Sequence, residues 1–171
     1  MSAPEPAAQD ADRINALPAA ELTELLLQCL AVPRWAHELA AGRPYADRDA
    51  LLARADALAA GLADAEVQAA VADHPRIGER PSSASTTAAL SAAEQSGVDS
   101  RDATLAERLA AGNADYERRF GHIYLVCASG RDGAEILADL RSRLANPPAT
   151  ELAVVRAELG KIAHLRLAGL R

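Results

Sequence analysis

The chain has 171 residues and a net charge of −6, from 18 basic and 24 acidic side chains. That length suits one ordinary domain with a single hydrophobic core. Alanine contributes 42 residues and leucine 23, whereas Trp, Tyr and Phe together contribute only five. Because Ala and Leu favour helices and sheets need β-branched and aromatic residues, this composition predicts an all-α fold. The acidic balance argues against a nucleic-acid partner, and no apolar run reaches the ~20 residues of a membrane span.

The N-terminal segment, residues 1–13, is rich in Ala, Pro, Asp and Gln and predicts a disordered lead-in to a domain over residues 14–171. It has neither the basic start nor the apolar stretch of a signal peptide. Cys29 and Cys127 form no CxxC pair and lie in apolar surroundings, which is typical of buried structural cysteines. These features together predict a cytoplasmic protein.

Start and stop signals along the chain predict seven or eight helices. Asp47 and Thr150 are candidate N-caps, Pro18 and Pro33 fit helix starts, and Gly42 fits a helix end. The predicted helices cover about 19–31, 33–42, 48–60, 64–73, 101–119, 132–146 and 150–168. The long stretch over 75–90, with a Ser/Thr-rich run at 82–87, predicts a loop that is either functional or disordered. The apolar run 123–128 predicts extended or irregular backbone.

Helical phase predicts that two charged or ionisable side chains point toward the core. In the last predicted helix, the stripe of Val155, Leu159 and Ile162 continues at Arg166, and an inward arginine must either be paired or bind an anion. His74 likewise continues the inner face of its helix at the C-terminal end, where the helix dipole favours an imidazolium. The alternatives are an internal salt bridge for Arg166 and a structural core histidine for His74.

A polar segment after the long loop can be interpreted in two ways. Ser91 and Glu94 fit a capping box, in which the two side chains satisfy the first backbone N–H groups of a helix. Alternatively, Glu94 and Gln95 open a helix whose N–H groups face a polar ligand. The sequence contains no HExxH, no His/Cys cluster and no Gly-rich phosphate loop, so we expect no metal and no cofactor.

Several spaced motifs carry a resemblance to a known family. His74-Pro75-Arg76-Ile77-Gly78-Glu79 and Ser91-Ala92-Ala93-Glu94-Gln95 resemble the signature of the OHCU decarboxylases, which act on 2-oxo-4-hydroxy-4-carboxy-5-ureidoimidazoline in urate degradation. The similarity spans roughly residues 14–170. Where many members have a Phe-Gly-Phe-x-Phe run, this chain reads Phe120-Gly121-His122-Ile123-Tyr124. Further matching positions are Asn15, Trp35, Gly42 to Tyr45, Asn113, Tyr116, Tyr124 to Ala128, Gly130, Arg131 and Ile162 to Leu167.

The resemblance implies an OHCU decarboxylase-like helical domain that is a homodimer and needs no cofactor. It implies that His74, Glu94 and Arg166 are catalytic. The implied substrate-binding residues are Pro75, Ser91, Ala92, Ala93, Glu94, Gln95, Tyr124, Leu125, Val126, Cys127 and Ala128. The implied partners are OHCU as substrate and 5-hydroxyisourate hydrolase as a functional associate.

The expected reaction is decarboxylation of OHCU to (S)-allantoin by acid–base catalysis. Electrons released with CO2 can pass into the adjacent C=N bond of the imidazoline, so no organic electron sink is required. Two alternatives of other classes remain at this point: a non-catalytic helical binding module, and a different small-molecule lyase or hydrolase on the same scaffold. Turnover of OHCU separates the enzyme from the module, and a comparison of substrates separates the enzymes.

Overall fold

A computed structural model gives the fold and describes residues 6–78 and 103–170, with side chains from residue 11 onward. All regular secondary structure within these ranges is helical, which confirms the predicted all-α fold class. The described helices are α1 (Pro6–Ala16), α2 (Ala19–Cys29), α3 (Pro33–Ala41), α4 (Arg48–Ala60), α5 (Asp64–Ala72), α6 (Ala103–Phe120), α7 (Gly133–Arg143) and α8 (Pro148–Gly169).

Side-chain caps explain where two of the described helices begin. Asp47 starts α4 by accepting a hydrogen bond from the Ala50 N–H at 2.8 Å. Asp132 and Glu135 form a capping box at α7, in which each carboxylate accepts the backbone N–H of the other residue. The predicted cap at Thr150 was wrong. The helix begins at Pro148, because proline suits the first turn of a helix, where its missing N–H costs nothing.

The N-terminal segment differs from its prediction. Helix α1 begins at Pro6, inside the range 1–13 for which the sequence predicted a disordered lead-in. Ala11 and Ile14 on this helix are both buried. Burial of an apolar face stabilises a short helix that composition alone would leave marginal. The domain boundary at residue 14 stays a prediction.

One compact unit comprises the chain up to Ala63 together with residues from Gly160 onward. Within it, α3 packs against both α2 and α4. Trp35 of α3 is fully buried and donates its indole N–H to the Ala55 carbonyl at 3.0 Å. The Asn15 side chain exchanges two hydrogen bonds with the backbone of Tyr45, at 2.8 and 2.9 Å. The first contact ties α3 to α4, and the second ties the end of α1 to the residues that follow α3.

The second compact unit spans Asp64–Leu159 and contains α5, α6, α7 and most of α8. Its helices α6 and α7 pack against each other. Across the described part of the chain, no helix has the length and apolarity needed to cross a bilayer. The apolar core of this unit comprises Ile77, Leu109, Tyr116, Tyr124, Val126, Ala128, Ile136, Leu137 and Leu140.

Candidate active site

His74 lies just beyond the end of α5 and is half-buried. Its backbone N–H bonds to the Val71 carbonyl at 3.1 Å, and its Nδ1 lies 2.9 Å from the Ala70 carbonyl oxygen. A carbonyl can only accept, so Nδ1 carries the proton and Nε2, which is buried, is the basic nitrogen of the neutral ring. In this tautomer, Nε2 is the nitrogen that can accept a proton.

The loop that follows His74 is anchored on α6 by two contacts. The Arg76 guanidinium binds the Glu117 carboxylate through Nε at 2.5 Å and Nη2 at 2.9 Å. The Ile77 carbonyl accepts a hydrogen bond from the buried side chain of Asn113 at 3.1 Å. Gly78 has a φ of 83°, a left-handed conformation that favours glycine. The backbone around His74 and Pro75 is thus held at fixed points on both sides.

A cavity of about 300 Å³ lies beside this loop, within the second unit. Arg76, which lines the cavity, is paired with Glu117. The hydrogen bond from this arginine is the main reason that the pKa of the Glu117 carboxyl is lowered. The Oδ1 atom of Asn113 is buried and accepts no hydrogen bond from any residue that the structure describes. The lining residues are Arg76, Ile77, Gly78, Ala106, Ala110, Asn113, Ala114 and Glu117.

The predicted irregular segment, residues 123–128, has neither helical nor strand structure, as expected. Two buried charged side chains hold its backbone. Arg143 of α7 donates from Nη1 to the Leu125 carbonyl at 2.8 Å, and Glu158 of α8 accepts the Cys127 N–H at 2.7 Å. The Tyr124 hydroxyl donates to Asp139 at 2.6 Å. Burial and this hydrogen bond to Asp139 raise the pKa of Tyr124, which keeps the phenol protonated.

Val126 lies between the two held peptide groups. It is buried, and its own N–H and C=O make no hydrogen bond with any residue in the described ranges. Buried backbone groups are nearly always paired with protein, water or ligand. The N–H donor and the C=O acceptor of Val126 form a polar backbone edge, which complements an amide-like or ureido group of a small molecule.

Arg143 is itself held by a buried ion pair with Glu151 of α8. Its Nε and Nη2 lie 2.8 and 2.6 Å from Glu151 Oε1. Glu151 also accepts hydrogen bonds from the Tyr116 hydroxyl and from Asn146. Although burial by itself disfavours the cation, the hydrogen bonds and charge of Glu151 outweigh it and raise the pKa of Arg143. This arginine therefore stays charged.

Arg166 is buried, as helical phase predicted, whereas Lys161 is exposed and His164 lies partly exposed beside Asp56. Its Nη1 lies 3.5 Å from the Cys29 carbonyl in the first unit. Burial raises the pKa of the Cys29 thiol to about 11, against an opposing effect of the Arg166 charge. The side chain thus places a guanidinium in an interior position, as both alternatives for it, anion binding and an internal salt bridge, require.

Two carboxylates that hold the candidate site were not predicted from the sequence. Glu151 and Glu158 lie seven residues apart on α8, and both are buried. The signal was available, because Glu151, Val155, Glu158 and Ile162 follow one helical stripe at spacings of four, three and four. The predicted residues Ser91, Ala92, Ala93, Glu94 and Gln95 lie outside the described residues, so their roles stay predictions.

Comparison with known proteins identifies the family. The family model for OHCU decarboxylase matches residues 15–168 of this chain. The 2-oxo-4-hydroxy-4-carboxy-5-ureidoimidazoline decarboxylase of Amia calva is 35% identical over 128 residues, which cover 74% of this chain and 73% of that protein. The uric acid degradation bifunctional protein TTL of Arabidopsis thaliana is 32% identical over 145 residues, and the match covers 83% of this chain but only 45% of that protein.

Solved structures agree with the sequence relatives. A crystal structure of OHCU decarboxylase in the presence of (S)-allantoin matches with a TM-score of 0.69 and 28% identity, over 85% of this chain and 95% of that chain. A crystal structure of (S)-allantoin synthase has the same TM-score at 17% identity, over 92% of this chain and 52% of that chain, and supports the fold alone. By sequence and by fold, the chain belongs to the OHCU decarboxylase family.

Proposed function

We infer that this protein is a carboxy-lyase that decarboxylates 2-oxo-4-hydroxy-4-carboxy-5-ureidoimidazoline in urate degradation. The observation that carries this conclusion is the family match over residues 15–168, nearly the whole chain. The anchored His74 loop and the backbone edge at Val126 supply the kinds of group that this chemistry uses. The product is (S)-allantoin, together with CO2.

The reaction needs stabilisation of a transient carbanion and then a proton. Breaking the bond to the carboxylate carbon releases CO2 and leaves an electron pair, which the adjacent ring C=N accepts. The resulting enol then loses its 4-hydroxyl proton as that carbon becomes the ring carbonyl, and a proton must reach one face of the ureido-bearing carbon to give a single enantiomer. In this proposal His74 exchanges a proton with the 4-hydroxyl group or with that carbon. General acid–base catalysis of this kind supplies ~10²–10⁴-fold in rate.

The remaining roles position the substrate. Arg166 pairs with substrate oxygens, which bear the negative charge that is redistributed as CO2 leaves. Pro75 lines the substrate beside His74. Ser91, Glu94 and Gln95 hold the ureido and ring N–H groups, with Ala92 and Ala93 between them in the same segment. The backbone of 124–128 binds the edge of the ring, and the unpaired groups of Val126 support this role.

Assembly and cellular setting form a further part of the proposal. We propose a cytoplasmic homodimer that acts in association with a 5-hydroxyisourate hydrolase. The bifunctional nature of the Arabidopsis thaliana relative supports a link between two steps of uric acid degradation on one polypeptide. Light scattering of the purified protein tests the dimer, and co-purification with the hydrolase tests the association.

The direct test of the activity is turnover of freshly generated substrate. OHCU is labile, so it is produced in situ from urate by the preceding enzymes, and its loss and the release of CO2 are followed with and without this protein. We expect the protein to accelerate both in proportion to its concentration. Rates equal to those of spontaneous decay would favour the alternative of a non-catalytic binding module. Faster turnover of another 4-carboxy heterocycle would favour a different lyase on this scaffold.

A further inference from the structure

Two buried side chains from different helices hold the segment 124–128 at adjacent peptide groups. We propose that Arg143 and Glu158 are positioning residues of the decarboxylase, which direct the N–H and C=O of Val126 toward the substrate. This inference rests on the proposed function and deepens it. It assigns a purpose to two charged groups that the helical fold by itself does not require.

Peptide geometry links the two anchors to Val126. In a trans peptide, the carbonyl of one residue and the N–H of the next point in opposite directions. The Leu125 carbonyl is held by Arg143, so the N–H of Val126 points away from Arg143. The Cys127 N–H is held by Glu158, so the C=O of Val126 points away from Glu158. Both groups of Val126 are therefore oriented by contacts made on its neighbours.

Charged anchors make this orientation firm. Glu158 and Arg143 are each about 5% exposed, and a buried ionised group is costly unless its hydrogen bonds are good. Hydrogen bonds in which one partner is charged are shorter and roughly twice as strong as neutral ones. The 2.7 Å contact to Cys127 and the 2.8 Å contact to Leu125 fit this class. A segment that only filled the core could be packed with apolar side chains instead.

Arg143 cannot readily shift, because it is fixed in turn. Glu151 binds two of its nitrogens, and Tyr116 and Asn146 bind Glu151. The chain of contacts therefore runs from α6 and α8 through Arg143 to one carbonyl of the segment. Glu158 holds the other side from the same helix as Glu151. Arg143 and Glu158 therefore fix the peptide groups on either side of Val126 from two directions. Displacing either side chain would rotate the N–H or the C=O of Val126.

Small displacements matter at such an edge. Misplacement of a reacting group by about 1 Å can cost on the order of 10²-fold in rate. We expect Glu158→Met to lower kcat/KM for OHCU by ~10- to 100-fold, mainly through a raised KM. Met keeps the length of the side chain but removes both its charge and its acceptor oxygens. Glu158→Gln keeps an acceptor oxygen for the Cys127 N–H and should restore most of the lost kcat/KM.

The experiment compares wild type, Glu158→Met, Glu158→Gln and a matched control, Arg156→Gln. Arg156 lies on the same helix two residues earlier and pairs with Asp64 at the surface. Each protein is assayed with OHCU generated in situ, at a temperature well below its melting temperature. Backbone amide exchange at Cys127 is measured in parallel. The inference predicts faster exchange and a raised KM in the Met variant, with near wild-type values in the Gln and control variants.

The outcomes separate this inference from the proposed function. A wild type that does not accelerate OHCU decay overturns the function and, with it, the inference. An active wild type with an unchanged KM in Glu158→Met overturns the inference alone. Equal losses in the Met and Gln variants also overturn it, because the charge and not the acceptor would then matter.

Should Glu158→Met fail to fold, Arg143→Lys supplies the second test, since Lys lacks the planar guanidinium that binds Glu151 and Leu125 together. The inference predicts a raised KM for that variant as well, and an unchanged KM overturns it.

Discussion

The imidazole of His74, just beyond the end of α5, is oriented by the carbonyl of Ala70 in that helix, four residues earlier. This arrangement follows from position, since a residue at the end of a helix faces the same side as the residue one turn before it. Helical phase could therefore predict the inward direction of both His74 and Arg166. It could not predict which carbonyl each side chain meets, because those partners depend on packing. The pairing of Arg166 with Cys29 spans 137 residues of sequence.

Replacing His74 tests its role at the residue scale. We expect His74→Asn to fold normally, because the Asn amide can still donate to the Ala70 carbonyl, while kcat falls by ~10²-fold or more. The measurements are turnover of OHCU and a thermal melt. His37→Asn, at an exposed position on α3, is the matched control. An unchanged kcat in the His74 variant would assign His74 to the structural core.

Glu94 offers a second test, in which two interpretations of one residue predict different magnitudes. A capping-box glutamate changed to Gln should cost ~1 kcal/mol or less and leave activity intact, since Gln also suits that position. A carboxylate that holds the substrate should lose kcat/KM strongly while the melting temperature barely changes. We expect the second outcome for Glu94→Gln. A lower melting temperature with normal kinetics would establish the capping role instead.

The Cys29 thiol allows a prediction about pH. Its pKa is raised to about 11 by burial, so at pH 8 only about one thiol in a thousand is ionised, and the thiolate is the reactive form. We expect alkylation of Cys29 at pH 8 to be slow in the folded protein and fast after denaturation, as measured by peptide mass spectrometry. The neutral thiol stabilises the fold below pH 9, and this contribution is lost as the pH rises toward 11. Rapid alkylation of the folded protein would contradict this account.

At the element scale, α8 contributes more than an apolar stripe. Its face carries two buried carboxylates, Glu151 and Glu158, which connect the helix to α7 and to the segment 124–128. The sequence predicted the stripe, the irregular segment and the Asp47 cap from local patterns. It did not predict the contact between Glu158 and Cys127, which are 31 residues apart. Local periodicity shows which side chains face inward but not what they face.

The buried pair of Arg143 and Glu151 predicts non-additive stability. Arg143→Met should destabilise the protein by ~3–5 kcal/mol, because it leaves a buried carboxylate uncompensated. Adding Glu151→Gln removes that charge and keeps an acceptor for Tyr116, so the double variant should recover much of the loss. Urea unfolding of the two single variants and the double variant measures the coupling. Additive changes would show that the pair does not act as a unit.

At the scale of the whole molecule, the fold class was predictable because alanine and leucine dominate the composition. The N-terminal helix from Pro6 was not, because its stability comes from burial of Ala11 and Ile14 rather than from local signals. The family could be recognised from spaced sequence motifs such as the His74–Gly78 run. Helical phase could have placed Glu151 and Glu158 on an inward stripe, but their partners, Arg143 and the Cys127 N–H, could not be predicted because they depend on tertiary contacts.

The chemistry of the whole enzyme predicts independence from added cofactors. The ring C=N of the substrate accepts the electrons released with CO2, so the proposed mechanism requires only His74 and charged side chains. We expect OHCU turnover to survive extended treatment with EDTA followed by dialysis. A rate that is lost on chelation and returns with added zinc would contradict this expectation. A mock-treated sample provides the control for loss of folded protein.

The chirality of the product tests the central claim most directly. Spontaneous decay of OHCU gives racemic allantoin, whereas an enzyme that protonates one face gives one enantiomer. Circular dichroism of allantoin, formed from urate through the in situ substrate, follows this at increasing concentrations of the protein. The account predicts an excess of (S)-allantoin that rises with protein concentration and falls sharply with His74→Asn. Racemic allantoin at every protein concentration would contradict it.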